Sequence, residues 1–229
     1  MGQVFSGLPI ALARALVEGL GLEVAIETGT HLGESAVALS EMVDHVWTVE
    51  LSPEYWERAR ARHGSNAAIT FLEGDSAAVL AGLAPGIDRP ALYWLDAHWC
   101  AADSAGFEAQ CPLLAEIDAL DGAPLAAQSA ILIDDASFFL ACPYPEYRRT
   151  DWPTFMEVVD RLRARHPRYV TTLQDVIIAA PPAGRAIVER FWQAKLAADL
   201  EQSRSRAQRA EEALRALPPA ESPRSDDAG

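Results

Sequence analysis

Carboxylates recur at one kind of place in this 229-residue chain, at or just past the end of a short, mostly apolar run. Glu27 follows 22–26, Glu50 closes 45–49, Asp75 stands beyond 68–73, Asp96 closes 91–95, and Asp134 with Asp135 closes 130–133. An ionised carboxylate only accepts hydrogen bonds, so its two oxygens suit a pair of hydroxyls, an amine or sulfonium, or a hard cation. His98 lies two residues after Asp96 and is the nearest side chain able to accept a proton at neutral pH. The first acid opens the stretch Glu27-Thr28-Gly29-Thr30-His31-Leu32-Gly33-Glu34-Ser35, a strand end, a glycine turn and a helix start. Glycine is wanted in such a turn because the backbone must take restricted angles and let a ligand approach with no Cβ in the way. Dinucleotide-binding turns set two glycines one residue apart, whereas Gly29 and Gly33 have three residues between them. Glu27 would also repel a pyrophosphate and welcome an amine or a sulfonium.

The elements that must position these groups follow from periodicity. An amphipathic helix is expected over 7–20, with Leu12, Leu16 and Leu20 on one stripe. Strands are expected over 22–27, 45–50, 68–73, 91–96 and 130–134, alternating with helices over 33–43, 54–62, 76–82, 112–121 and 153–165. Ser52-Pro53 is a helix-start signal. Alternation of this kind predicts an α/β fold, a mostly parallel sheet wound on both faces. Two further runs, 169–173 and 176–179 around Gln174-Asp175, predict a terminal antiparallel hairpin. In such sheets ligands collect beyond the C-terminal strand ends, which is where the acids fall. The aromatic and proline-rich segment 136–152 reads as a long, functional connection. The expected organisation is a ligand-binding domain over 1–182, a helical extension over 183–217 that is exposed or weakly coiled-coil beyond 200, and a disordered tail over 218–229.

The formal charge of −14 is carried by residues 1–182, because 183–229 hold eight basic and eight acidic residues. Such a body repels nucleic acid and anionic membrane surfaces. Cys100, Cys111 and Cys142 make an odd set without CxxC spacing, which argues against a disulfide framework or a zinc site. No apolar run approaches the ~20 residues needed to span a bilayer. These features predict a cytoplasmic location without membrane insertion, and self-association through the C-terminal helix as the simplest use of that element.

Taken in order, these motifs resemble the class I methyltransferases that use S-adenosylmethionine (SAM), a Rossmann-like fold. Within them they resemble the metal-dependent O-methyltransferases of the catechol type. The resemblance covers about residues 22–180. It implies that Glu27, Gly29, Thr30, Gly33 and Ser35 line the methionine part of the cofactor, with Ser35 on its carboxylate. It further implies that Glu50 binds the ribose hydroxyls and that Asp75 and Ser76 lie on the adenine side. Leu95-Asp96-Ala97-His98-Trp99 and Ile133-Asp134-Asp135 match the metal motifs of the same family, which implies Mg²⁺ on Asp96, Asp134 and Asp135. The Asp-Asp pair, where the catechol enzymes have Asp-Asn, looks closer to the sugar O-methyltransferases of macrolide pathways. The implied acceptor is a glycan or another hydroxylated small molecule.

The catechol enzymes are expected to use a lysine after the fourth-strand aspartate as base, and the only lysine here is Lys195, in the C-terminal helix. His98 therefore takes the expected role of base, beside Asp96. Two rival readings remain open from the sequence. One is a dinucleotide-dependent oxidoreductase, against which the wide glycine spacing and Glu27 count. The other is a catalytically silent relative that acts as a subunit through its C-terminal helix.

Overall fold

A computed structural model describes residues 7–99, 105–141 and 146–215. Seven strands form one sheet in the order β3-β2-β1-β4-β5-β7-β6. They are β1 (Val24–Thr28), β2 (His45–Glu50), β3 (Ile69–Glu73), β4 (Ala91–Leu95), β5 (Ala130–Ile133), β6 (Tyr169–Leu173) and β7 (Val176–Ala180). The first five are parallel, and β7 runs antiparallel to both β5 and β6. The expected terminal hairpin is therefore present, turning through Gln174 and Asp175, both left-handed with φ of 48° and 70°. β1, β4, β5 and β7 are buried along their whole length. Strands covered on both faces need no polar side, which is why their sequences read as continuous apolar runs.

Helices α1 (Ile10–Leu20), α2 (Glu34–Ser40), α3 (Pro53–His63), α4 (Ser76–Leu83) and α5 (Leu113–Leu120) alternate with the parallel strands. Their starts are written locally. Ser52 accepts a hydrogen bond from the Tyr55 N–H at the head of α3, with Pro53 at its first position. Asp75 accepts from the Ala78 N–H at 2.9 Å and caps α4. Thr154 and Glu157 form a reciprocal capping box at the start of α7 (Phe155–Arg163). Segment 136–152 is less irregular than its composition predicts. It opens with α6 (Ala136–Leu140) and holds a short 3₁₀ turn at Arg149–Asp151, while residues 142–145, with Cys142 and Tyr144, lie outside the described residues.

The sheet order reverses between β1 and β4, where β1 is flanked by β2 on one side and β4 on the other. Loops leaving the two strands go to opposite faces there and leave a crevice above their C-terminal ends. The chain divides into two compact units, Met1–Val188 and Glu189–Gly229. α8 (Gly184–Arg215) is a helix of 32 residues. In the second unit Lys195 pairs with Asp199 one turn on, at 3.1 Å. Among the described residues no helix is long and apolar enough to cross a membrane. The tail 218–229 lies outside the described residues.

Candidate active site

A cavity of about 550 Å³ opens at the crevice, lined on one side by Gly29, Glu50, Gly74, Asp75 and Ser76 and on the other by Asp96, His98, Gly106 and Pro112. The Gly29 turn holds this wall close. Gly29 has φ +84°, and a Cβ placed on it would lie 2.3 Å from the Asp96 carbonyl oxygen, so any side chain would push β1 and β4 apart at the site. Its N–H, like that of Thr30, bonds the carbonyl of Val49 on β2. Gly33 is also left-handed, with φ +85°, and gives the His63 ring room against the turn.

Glu50 ends β2 with both oxygens oriented by backbone N–H groups, Oε2 by His31 at 2.8 Å and Oε1 by Ser52 at 2.9 Å. A carboxylate has about four acceptor sites, so each oxygen keeps capacity toward the cavity it lines. His31 has φ 48°, and its ring, 4.5 Å from that of Tyr55, forms part of the cavity wall with it. Nothing in its sequence position singles out His31 from the other scattered histidines.

Four of the expected cofactor residues stand behind the lining instead of on it. Glu27 is 0% exposed and accepts from Thr48 Oγ1 at 2.6 Å. Thr48 in turn shares a 2.5 Å hydrogen bond with Thr30. Burial pushes the Glu27 carboxyl up to about 7, against hydrogen bonds from Ser35 and Thr48, and the Glu50 charge raises it further. Ser35 is thus engaged with Glu27, and Gly33 faces His63. Glu27 Oε1 is buried with no partner among the described residues.

The structure brings Asp96, His98, Asp134 and Asp135 together. The His98 side chain is only 5% exposed and stands between two carboxylates that are each 32% exposed. Its Nε2 is 2.9 Å from Asp135 Oδ2, and its Nδ1 is 3.8 Å from Asp96 Oδ1. Asp135, left-handed at φ 51°, also gives its N–H to Asp134 Oδ1 at 2.9 Å. Burial alone would push His98 down, but the Asp135 hydrogen bond and the charges of Asp96, Asp135 and Asp134 together raise it. Burial raises Asp96 well above the usual carboxylate range; His98 opposes this while Asp134 and Asp135 add to it. Asp134 is pushed up to about 6, first by burial and then by Asp135.

This arrangement bears on the expected metal. Three carboxylates are the right donor chemistry for Mg²⁺; here one oxygen of Asp135 meets His98 and one oxygen of Asp134 accepts a backbone N–H. Among the described residues no group of three or more His, Cys, Asp or Glu side chains is placed to hold a metal ion. In this arrangement the group between Asp96 and Asp135 is the His98 ring. As a base, His98 has both ring nitrogens turned to carboxylates, which leaves Asp96 as the group that faces the cavity with a raised proton affinity.

Three positions escaped the sequence reading. Glu116 on α5 is 1% exposed; burial raises its carboxyl, and hydrogen bonding to Ser76 and Thr28 opposes the rise. Its signal was present, an acid on the same stripe as Leu113, Ile117 and Leu120. Gln110 is 0% exposed and ties two loops together. Its Nε2 donates to the Glu146 carbonyl at 3.2 Å, while its Oε1 accepts from the Arg148 N–H at 2.8 Å and from Trp152 Nε1 at 3.2 Å. Asp175 accepts from the Ser137 N–H and hydroxyl and so fastens the hairpin to the start of α6. Of the aromatic segment, Phe138, Tyr147 and Trp152 pack with Trp99 around His98, and Arg148 is engaged by Asp151 at 2.8 Å and by the Phe107 carbonyl.

No protein-family model and no curated protein matches the chain. Solved structures do. A putative caffeoyl-CoA O-methyltransferase from Staphylococcus aureus aligns over 78% of this chain and 85% of its own, with a TM-score of 0.52 at 13% identity. The O-methyltransferase TomG from Streptomyces achromogenes, solved with SAM, covers 75% and 78% with a TM-score of 0.53 at 14% identity. The methyltransferase PaMTH1 from Podospora anserina, bound to S-adenosylhomocysteine (SAH), covers 77% and 79% with a TM-score of 0.53 at 18% identity. The chain has the fold of these SAM-dependent methyltransferases.

Proposed function

We propose that this protein is a SAM-dependent O-methyltransferase acting on a hydroxyl of a glycan or another small molecule. The observation that carries the reading is Glu50, whose two oxygens are oriented by the His31 and Ser52 N–H groups on the wall of a cavity that begins at the Gly29 turn. An oriented carboxylate at the end of the second strand suits two vicinal ribose hydroxyls. The unpartnered, buried Glu27 oxygen beside that turn suits a cationic cofactor and would oppose a pyrophosphate. The solved relatives that carry SAM or SAH support the same choice of cofactor.

Bound SAM supplies an electrophilic methyl group on a sulfonium. Asp96, on the cavity wall with a raised carboxyl, receives the acceptor's hydroxyl proton as the oxygen–methyl bond forms and the sulfur–methyl bond breaks. His98, held by Asp135, keeps the Asp96 carboxylate company as its counter-charge and fixes its place.

Isothermal titration of the full chain with SAH and with NAD tests the cofactor. SAH is expected to bind and NAD to give no heat; the reverse would overturn the reading. Glu50→Gln should weaken SAH by roughly 10- to 100-fold, because a hydrogen bond to a charged acceptor is worth about 1.5–3 kcal/mol.

A further inference from the structure

Gln110 stands behind the cavity wall rather than on it, but its neighbours in the chain, Ala109 and Pro112, form that wall together with Ala105 and Gly106. Its buried amide reaches away from them. Oε1 accepts from both the Arg148 N–H and Trp152 Nε1, and Nε2 donates to the Glu146 carbonyl. The orientation is forced, because the flipped amide would set an NH₂ group against two N–H donors. The main chain adds to the tie. The Gln110 carbonyl accepts from the Trp99 N–H at 2.8 Å, and the Gln110 N–H reaches Asp151 Oδ2 at 3.4 Å. One residue thus joins the cavity wall, the chain directly after His98, and segment 146–152.

What these bonds hold is the His98 ring. Trp152, whose indole N–H ends on Gln110, packs edge-on against His98 with ring centroids 5.4 Å apart. His98 Nδ1 in turn lies 3.8 Å from Asp96 Oδ1. Without the amide, two N–H donors and a carbonyl are left without this partner, and buried groups in that state are satisfied only if the loops part to admit water. A second tie between the same loops is made by Arg148, which pairs with Asp151 and donates to the Phe107 carbonyl. Its side chain is 37% exposed, so solvent screens that ion pair and the buried amide is the stronger hold. Resting on the methyltransferase reading above, we propose that Gln110 is a positioning residue of the active site. It touches neither cofactor nor acceptor; its amide sets the outer cavity wall and, through Trp152, the His98 ring beside Asp96.

The test compares the full wild-type chain with Gln110→Leu, which removes the amide at similar size, and with Gln110→Glu, which keeps an acceptor for Trp152 and Arg148 but gives up the donor. Arg168→Met serves as the control, destabilised by a broken ion pair far from the cavity. The Trp152 indole N–H and the His98 ring, assigned with Trp152→Phe and His98→Asn, are followed by NMR at one pH at which each variant is folded. SAH binding is followed by calorimetry. Gln110→Leu is expected to shift both signals, to speed solvent exchange of the indole proton about tenfold or more, and to weaken SAH about tenfold. Gln110→Glu should fall between it and the wild type. Arg168→Met should match the wild type in every one of these readings despite its lower stability. A folded Gln110→Leu whose His98 signal or SAH affinity equals that of the wild type would overturn the inference. So would equal losses in Arg168→Met, because the effect would then follow stability and not position. If Gln110→Leu does not fold, Gln110→Glu is judged by the same criteria. Failure of the wild type to bind SAH would instead remove the reading beneath, while the two NMR signals still decide whether Gln110 places the ring.

Discussion

Glu27 should make the stability of the ligand-free protein fall as pH rises through neutrality. The group is fully buried, with one oxygen satisfied by Thr48 and the other unpartnered. Burial is the largest cause of its shift from 4.5 to about 7. A carboxyl whose folded value is raised prefers to keep its proton in the folded state. Its contribution to stability is fully present below about 4.5 and is lost as pH climbs through about 7. The gap between those values, at about 1.4 kcal/mol per pH unit, gives roughly 3 kcal/mol from this one side chain. Urea denaturation at several pH values between 5 and 8 measures it directly. Glu27→Gln keeps the shape and an acceptor for Thr48 but cannot ionise. Its stability curve should be flatter than the wild type by that amount, with the variant the more stable of the two at pH 8. Asp134, raised to about 6, adds a decline of the same sign at lower pH in both proteins, so the difference between the curves isolates Glu27. Equal slopes for wild type and variant would refute the argument that burial governs this group.

Gly29→Ala places a methyl 2.3 Å from the Asp96 carbonyl in a left-handed residue, so it should cost about 2 kcal/mol or more in thermal denaturation and abolish SAH binding in calorimetry. Far from the cavity, Arg168 and Asp121 form an ion pair at 2.7 Å with both side chains 1% exposed. Arg168→Met leaves Asp121 buried and uncompensated and should cost about 3–5 kcal/mol by urea denaturation, while adding Asp121→Leu to it should restore a large part of that loss.

Much of the fold was legible because the central parallel strands β1, β4 and β5 are buried along their whole length and announce themselves as apolar runs with an acid at or just past the end. Ile26-Glu27, Val49-Glu50, Leu95-Asp96 and Ile133-Asp134 mark where the sheet stops and the crevice begins. The hairpin was legible too, although its turn is made by Gln174 and Asp175 without a glycine. α6 was not. It spans five residues, and its first turn is fastened by Asp175, 38 positions further along the chain, so no local signal could reveal it.

The site divides in the same way. Acids that terminate strands can be placed from sequence, since the sheet carries them to one edge. What each acid does is decided by partners from elsewhere in the chain. Asp134-Asp135 and Asp96, read alone, ask for a cation, and a metal is the natural answer. The left-handed turn at Asp135 instead swings its carboxylate onto His98, and the ring packing of Phe138 and Trp152 holds the imidazole in that place. The ring expected to act as a free base is thereby held between two carboxylates.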